Sequence, residues 1–237
     1  MPCSTGPTGA GRYCMPMGHP AAGVQRQHAP AVLANQLQPA DRWGQPCRAY
    51  NACIQPGPDA AAALVAIQES AQRLEPSLLR VPEPALHANL TWLLPVHKEF
   101  GAPKDELWQQ HGPRWAGTLA EVGGRTSTFR LRYRRLAATN SAIITVADEP
   151  NGLSVLRREL VPLLRPPGGA SAGDLVHMTL FRYAGPLHDP AALLRWADAT
   201  EFCVDVHVSE LVIIRERVFP SLDFDILHRV ALAPVHA

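Results

Sequence analysis

The sequence is poor in lysine, has no paired cysteine motif and contains no long apolar run. Lys98 and Lys104 are the only lysines among 22 basic residues, and the formal net charge is +1. This balance excludes a strong overall field for nucleic acid or membrane, so any basic site must be local. The five cysteines form no C-x-x-C pair, which argues against a disulfide framework and a zinc site. We therefore expect a protein of the reducing cytoplasm with no metal and no cofactor.

The chain of 237 residues suffices for one large domain or two small ones. Residues 1–58 hold nine of the 23 prolines, seven of the 17 glycines and a single acid, Asp41. Such a composition buries little apolar surface, so we predict a mostly disordered tail over 1–58 and a folded domain over 59–237. The tail has no apolar stretch typical of a signal peptide, and we expect no export.

Beyond residue 58, apolar residues recur with the periods of helices and strands. The predicted helices are 59–75, 103–121 with an interruption at Gly112-Pro113, 151–164 and 189–199. The predicted strands are 86–93, 128–136, 142–147, 175–183, 202–208, 211–218 and 224–232.

The order of these elements recurs along the chain, which indicates an internal repeat. His87 and His177 are 90 residues apart, and each lies on the first strand after a helix, two positions before a small polar residue. We therefore predict an α+β, bilobal fold with lobes at about 59–148 and 149–237. Each lobe is an antiparallel sheet backed by helices, and a central cleft separates the two sheets.

Strand alternation places the two histidines beside hydrogen-bonding side chains. His87, Asn89 and Thr91 share one face of the first strand, and His177 shares a face with Thr179. One neutral and one protonated histidine can deprotonate a nucleophile and protonate a leaving oxygen. Asn89 and Thr179 could donate hydrogen bonds to phosphoryl oxygens. The alternative is that both histidines are ordinary solvent-facing strand residues.

On these residues the chain, over about 59–237, resembles the two-histidine phosphoesterase superfamily, and especially its 2'-5' RNA ligase-like and cyclic phosphodiesterase branch. His177-Met178-Thr179-Leu180 matches the second His-x-Thr/Ser motif, whereas His87-Ala88-Asn89-Leu90 departs at its third position. The resemblance implies a metal-independent phosphodiesterase acting on a 2',3'-cyclic phosphate or a 2'-5' linkage of RNA or nucleotides. One histidine is then the general base and the other the general acid, with Thr91 a substitute donor for the missing hydroxyl.

Further substrate contacts are predicted from strand parity. Arg130, Arg132 and Arg134 share one strand face and would line the cleft beside His87; the alternative is a solvated sheet face. Tyr183 shares parity with His177 and could stack on a base, or simply pack. Arg182 is expected on the opposite face.

Three functions remain open from the sequence. The first is the phosphodiesterase, acting on an RNA end or nucleotide cyclic phosphate, with no membrane partner and as a monomer. The second is an RNA- or nucleotide-binding module of the same fold whose catalysis is impaired by Asn89. The third is a scaffold protein that recruits a partner through its Pro-rich tail.

Overall fold

The computed structural model describes residues 19–149, 151–165, 167 and 175–234. Within these residues it has five helices, α1 (Pro20–Leu33), α2 (Pro58–Leu74), α3 (Lys104–Arg125), α4 (Gly152–Leu164) and α5 (Pro190–Ala199). A 3-10 turn covers Glu83–Ala85. The nine strands of the described residues are β1 (Pro46–Ile54), β2 (Leu78–Arg80), β3 (Ala88–Leu94), β4 (Phe129–Ala138), β5 (Ala142–Ala147), β6 (His177–Tyr183), β7 (Val204–Val208), β8 (Glu210–Val218) and β9 (Asp223–Ala231).

The strands form two antiparallel sheets backed by helices, as predicted. The first sheet has the order β3-β1-β8-β9, and the second has the order β2-β6-β5-β4-β7. The predicted division into lobes near residue 148 is wrong, because each sheet takes strands from both sides of it. Strands β8 and β9 return from the end of the chain to extend the sheet that β1 and β3 begin.

The prediction of a disordered tail over 1–58 is wrong for α1 and β1, and residues 1–18 lie outside the described residues. Strand β1 pairs with β3 on one edge and β8 on the other, so it is central to the first sheet. From Ala49 onward every residue of β1 is buried. The prolines and glycines around this short segment dominated the average composition and concealed it.

Helix α1 owes its position to tertiary contacts rather than to an amphipathic pattern. His19 caps it, since its Nδ1 accepts a hydrogen bond from the Ala21 N–H at 3.1 Å. The buried Gln25 donates to Asp198 at 2.6 Å and accepts from the Ala138 N–H at 3.0 Å. Ala21 packs against Ile144 and Val146 of the second sheet. Helix α1 is therefore fixed on one face of that sheet.

Helix α3 runs unbroken through the predicted interruption at Gly112-Pro113. A Cβ at Gly112 would lie 2.7 Å from the ring of Trp108, so only glycine fits beneath that ring. Trp115, fully buried, donates from Nε1 to the carbonyl of Leu164 at 2.7 Å. The helix is thus held by tertiary packing.

None of the helices in the described part of the chain combines the length and apolar character needed to cross a membrane.

Candidate active site

The two motif histidines line one cavity of about 690 Å³. His87 immediately precedes β3 of the first sheet, and His177 is the first residue of β6 of the second. Asn89 and Thr179 line the same cavity. The four residues that the sequence singled out for acid-base chemistry and phosphate binding are therefore neighbours around a common space.

The two imidazoles are held in the same way. Nδ1 of His87 lies 2.8 Å from the carbonyl oxygen of Ala85, and Nδ1 of His177 lies 3.4 Å from that of Leu175. A carbonyl only accepts hydrogen bonds, so each Nδ1 carries the proton and donates it. Nε2 of each ring is then the nitrogen that is available to accept or donate a proton on a ligand.

Both histidines are neutral at neutral pH in the absence of a ligand. Burial, and to a smaller extent the charges of Arg157 and Arg182, lower the pKa of His177 to about 4. Burial and the charge of Arg182 also lower the pKa of His87. A bound anion would offset the nearby positive charge and favour protonation of one ring. The electrostatics of the cavity therefore couple histidine protonation to anion binding.

Asn89 lines the cavity, and its two amide atoms differ in their surroundings. Its Oδ1 is shielded from solvent and has no hydrogen-bond partner among the described residues. The NH₂ group is consequently the end of the side chain that a ligand can reach. Asn89 can thus offer the cavity a hydrogen-bond donor, as the hydroxyl of Thr179 also can.

The prediction for Thr91 is wrong because β3 contains a bulge. Asn89 pairs with Cys53 of β1, yet Thr91, two residues on, pairs with the adjacent Ala52. The extra residue, Leu90, reverses the alternation beyond it. Thr91 is 1% exposed and does not line the cavity, whereas Trp92 does.

A second bulge, in β6, reverses the predictions for Tyr183 and Arg182. Thr179 pairs with Ile144 of β5, and Phe181 pairs with the adjacent Ile143, leaving Leu180 as the extra residue. Tyr183 is 1% exposed and donates from its hydroxyl to the carbonyl of Thr139 at 2.8 Å. It is a core residue, and Arg182 lines the cavity in its place.

Arg182 brings a positive charge to the cavity, and no carboxylate among the described residues pairs with it. Its Nη1 donates to the carbonyl of Ser141 at 3.3 Å, and burial lowers its pKa. The ion pairs formed by the described residues do not include it. A partly desolvated guanidinium with no carboxylate partner favours binding of an anion such as a phosphate.

Arg157 of α4 ties the two motif strands together. It is 7% exposed, and its Nη2 donates to the carbonyl of Asn89. Its Nη1 donates at 2.9 Å to the carbonyl of Leu175, which also accepts from His177. One buried side chain therefore sets the spacing between β3 and the start of β6. The sequence offered no signal for it, because Arg157 lies among the apolar residues of a helix.

The predicted cleft position of Arg130, Arg132 and Arg134 is wrong. All three are exposed on β4, and none lines the cavity. Arg132 binds Asp205 at 2.8 Å, and Arg134 binds Asp148 at 2.6 Å. Strand β5 separates β4 from β6, so the row lies about 10 Å across the sheet from the strand of His177. The solvated-face alternative is the correct one.

Several residues that line the cavity were missed by sequence reasoning. Glu216 of β8 is 4% exposed and accepts a hydrogen bond from the Ser221 N–H at 2.6 Å. Burial raises its pKa, and Asn51 and Cys47 hydrogen-bond to it. Arg42 and His97 also line the cavity. These residues meet only because β8 pairs with β1, which the local sequence does not reveal.

Among the described residues, no group of three or more His, Cys, Asp or Glu is arranged to hold a metal ion.

Comparison with known proteins identifies the fold. No family model and no curated protein sequence matches the chain. TT0787 of Thermus thermophilus has a TM-score of 0.58 at 19% identity, covering 79% of this chain and 100% of that one. A structure described as a phosphoesterase has a TM-score of 0.54 at 15% identity, covering 78% and 99%. E. coli LigT complexed with 3'-AMP has a TM-score of 0.52 at 17% identity, covering 78% and 98%. The chain thus shares the fold of LigT-like phosphoesterase structures, as the sequence resemblance implied.

Proposed function

We propose that this chain is a two-histidine phosphoesterase that cleaves a 2',3'-cyclic phosphate or a 2'-5' phosphodiester of RNA or nucleotides without a metal. The observation that carries the proposal is the matched pair of imidazoles in one cavity. Each has Nδ1 fixed to a backbone carbonyl and Nε2 left for a ligand.

The chemistry divides between the two rings. One Nε2 takes the proton of the attacking water or hydroxyl as its oxygen bonds to phosphorus. The other Nε2, protonated once the anionic substrate is bound, gives its proton to the oxygen whose bond to phosphorus breaks. Attack and departure are in line, so the two rings act from opposite sides of the phosphate. The reaction needs no further acid or base.

Three donors are assigned to the phosphoryl oxygens. The guanidinium of Arg182 supplies positive charge, and the Asn89 amide and the Thr179 hydroxyl supply hydrogen bonds. Donors fixed in a cavity of this kind stabilise the charge that develops on the phosphate in the transition state. Because these groups can stabilise the negative charge of the phosphate in place of a divalent ion, we expect activity to survive chelation.

A nucleotide suits the rest of the cavity. A volume of about 690 Å³ lies within the range of about 300–1,000 Å³ that is common for ligand pockets. The indole of Trp92 lies on the wall beside the histidines and can stack on a base. The fold neighbour E. coli LigT is known in complex with the nucleotide 3'-AMP.

A second candidate is a nucleotide-binding module with impaired catalysis. The observation that favours it is Asn89, which stands where the two-histidine phosphoesterases that the sequence resembles usually have Thr or Ser. The amide retains a donor, but its reach and geometry differ from those of a hydroxyl. Turnover distinguishes the two candidates.

The test is an assay with EDTA on a panel of nucleoside 2',3'-cyclic phosphates and 2'-5'-linked oligonucleotides. We expect hydrolysis of at least one class, unchanged by the chelator. Activity that disappears with EDTA and returns with a divalent ion would replace the proposal with metal-assisted hydrolysis. Binding of the panel substrates without turnover of any of them would favour the second candidate, the nucleotide-binding module.

A further inference from the structure

A second cavity of about 390 Å³ lies on the α1 side of His177. Its walls are α1, through Val24 and His28, and strand β5, through Ala142 and Ile144. His177, Thr179 and Arg182 line both this cavity and the larger one. The second histidine motif therefore stands between two spaces, and the first motif lines only the larger of them.

The α1-side cavity has the character of a site for a flat, largely apolar group. Val24, Ala142, Ile144 and Leu175 supply its apolar lining, while His28 and Ser141 add polar groups. The Thr139 hydroxyl is already engaged by the backbone of Ala142. An apolar cavity with a few polar groups is typical of small-ligand sites, and its volume exceeds the lower bound of about 300 Å³ for them.

The wall that α1 forms is preorganised. Gln25, adjacent to Val24, is buried and hydrogen-bonds to Asp198 and to the Ala138 N–H. Ala21, one turn earlier, is fully buried against the second sheet. A ligand group entering here would meet a fixed surface, so little ordering entropy would oppose its binding.

We propose that the α1-side cavity binds the second nucleoside of a 2'-5' phosphodiester, the group attached to the phosphate oxygen next to His177. The proposal rests on the proposed function. In-line chemistry puts the entering and leaving oxygens on opposite sides of phosphorus, one toward each histidine. The group on the His177 side would extend past Thr179 and Arg182 into this cavity, while the other nucleoside occupies the larger one.

This arrangement assigns a role to each histidine. In cleavage, the 3'-hydroxyl of the first nucleoside attacks phosphorus and its proton passes to His87. The bond from phosphorus to the 5'-oxygen of the second nucleoside breaks, and that oxygen takes a proton from His177. The products are a 2',3'-cyclic phosphate and a nucleoside with a free 5'-hydroxyl. The reverse reaction forms a 2'-5' linkage.

The experiment compares kcat/KM for 2'-5'-linked adenylyl adenosine with kcat/KM for adenosine 2',3'-cyclic phosphate. Val24→Trp fills the α1-side cavity, and His28→Ala removes a polar contact with little risk to folding. Gln27→Trp, at an exposed position of the same helix, is the matched control. Melting temperatures establish that each variant is folded.

We expect Val24→Trp to lower the ratio of the two kcat/KM values, linear over cyclic, at least about 10-fold, and His28→Ala to lower it about 3-fold. Gln27→Trp should leave the ratio unchanged. If the wild type cleaves both substrates and neither Val24→Trp nor His28→Ala lowers the ratio, the second-nucleoside site is wrong and the phosphodiesterase stands. A wild type active only on the cyclic substrate likewise overturns this site alone. Inactivity on both substrates overturns the proposed function and this inference with it.

Discussion

Strands β3 and β6 carry the two histidine motifs and have the same local design, but they present different chemistry to the cavity. In each, a histidine is followed two residues later by a hydrogen-bonding side chain, and then by a bulged leucine, Leu90 or Leu180. In each, the next cavity-facing residue is five positions after the histidine. That residue is Trp92 in β3 and Arg182 in β6.

This difference makes the two sides of the cavity chemically distinct. An indole beside His87 suits the flat face of a base, whereas a guanidinium beside His177 suits the phosphate. The electrostatic setting of the two histidines also differs. The charges of Arg157 and Arg182 lower the pKa of His177, whereas the charge of Arg182 lowers that of His87. The duplicated design therefore supports two non-equivalent roles for chemically identical side chains.

The largest expected effect tests whether both motifs take part. His87→Ala and His177→Ala should each lower kcat about 100- to 10,000-fold, the range for loss of a general acid or base. His207→Ala, which removes an exposed histidine from β7, is the control and should change nothing. Steady-state kinetics with a cyclic nucleotide measures all three. A variant of either motif histidine that keeps full turnover would remove that ring from the mechanism.

The donors after each histidine come next. Asn89→Ala should lower kcat about 100-fold if the amide stabilises the phosphoryl charge, and Thr179→Val should do the same. Asn89→Thr should keep or raise the activity, since it restores the hydroxyl of the other motif. A wild type that is inactive and gains activity with Asn89→Thr would establish the binding module in place of the enzyme. If Asn89→Ala has the same kcat as the wild type, Asn89 is not a catalytic donor, and β3 and β6 differ in function as well as in sequence.

Arg157 couples the two strands, and its removal should affect both. Arg157→Met removes one hydrogen-bond donor from each of the carbonyls of Asn89 and Leu175 and should cost about 1–3 kcal/mol of unfolding free energy. It also removes a positive charge that lowers the pKa of His177, so the limb of the pH profile of kcat/KM that reports His177 should move to higher pH. Arg158→Met, at the exposed neighbouring position, is the control. Denaturant unfolding and pH-rate profiles provide the two readouts, and a stability loss without a shift of the limb would restrict Arg157 to a structural role.

The smallest expected effect is on the pH dependence of the free energy of unfolding. The pKa of His177 is lowered from 6.5 to about 4 in the folded chain, so between these values the unfolded chain binds more protons. Stability should be full above pH 6.5 and fall as the pH decreases toward about 4. Urea unfolding across this interval measures the slope, and His177→Gln should reduce it. An equal slope in the variant would assign the loss to His87 or to other groups.

The helices and most strands could be predicted from the sequence because their patterns are local. The spacing of apolar residues gave α2, α4 and α5 within one or two residues, and the strand at Ala142–Ala147 with its observed bounds. Strand β1 was missed because prolines flank it and its partners lie far along the chain. Helix α1 was missed because its anchor is Gln25, a polar residue whose hydrogen bonds exist only in the folded state.

By itself the sequence determined the two histidines, the polar residue two positions after each, and the α+β class, because these depend on residue identity and on periods of two and 3.6 residues. Only the tertiary structure decided what lies beyond them. A bulge shifts strand parity without a signature in residue type, so Trp92 and Arg182 replaced Thr91 and Tyr183 at the cavity. Strand order is a property of long-range pairing, and it kept the arginines of β4 outside the cavity while it brought β1 and β8 beside β3.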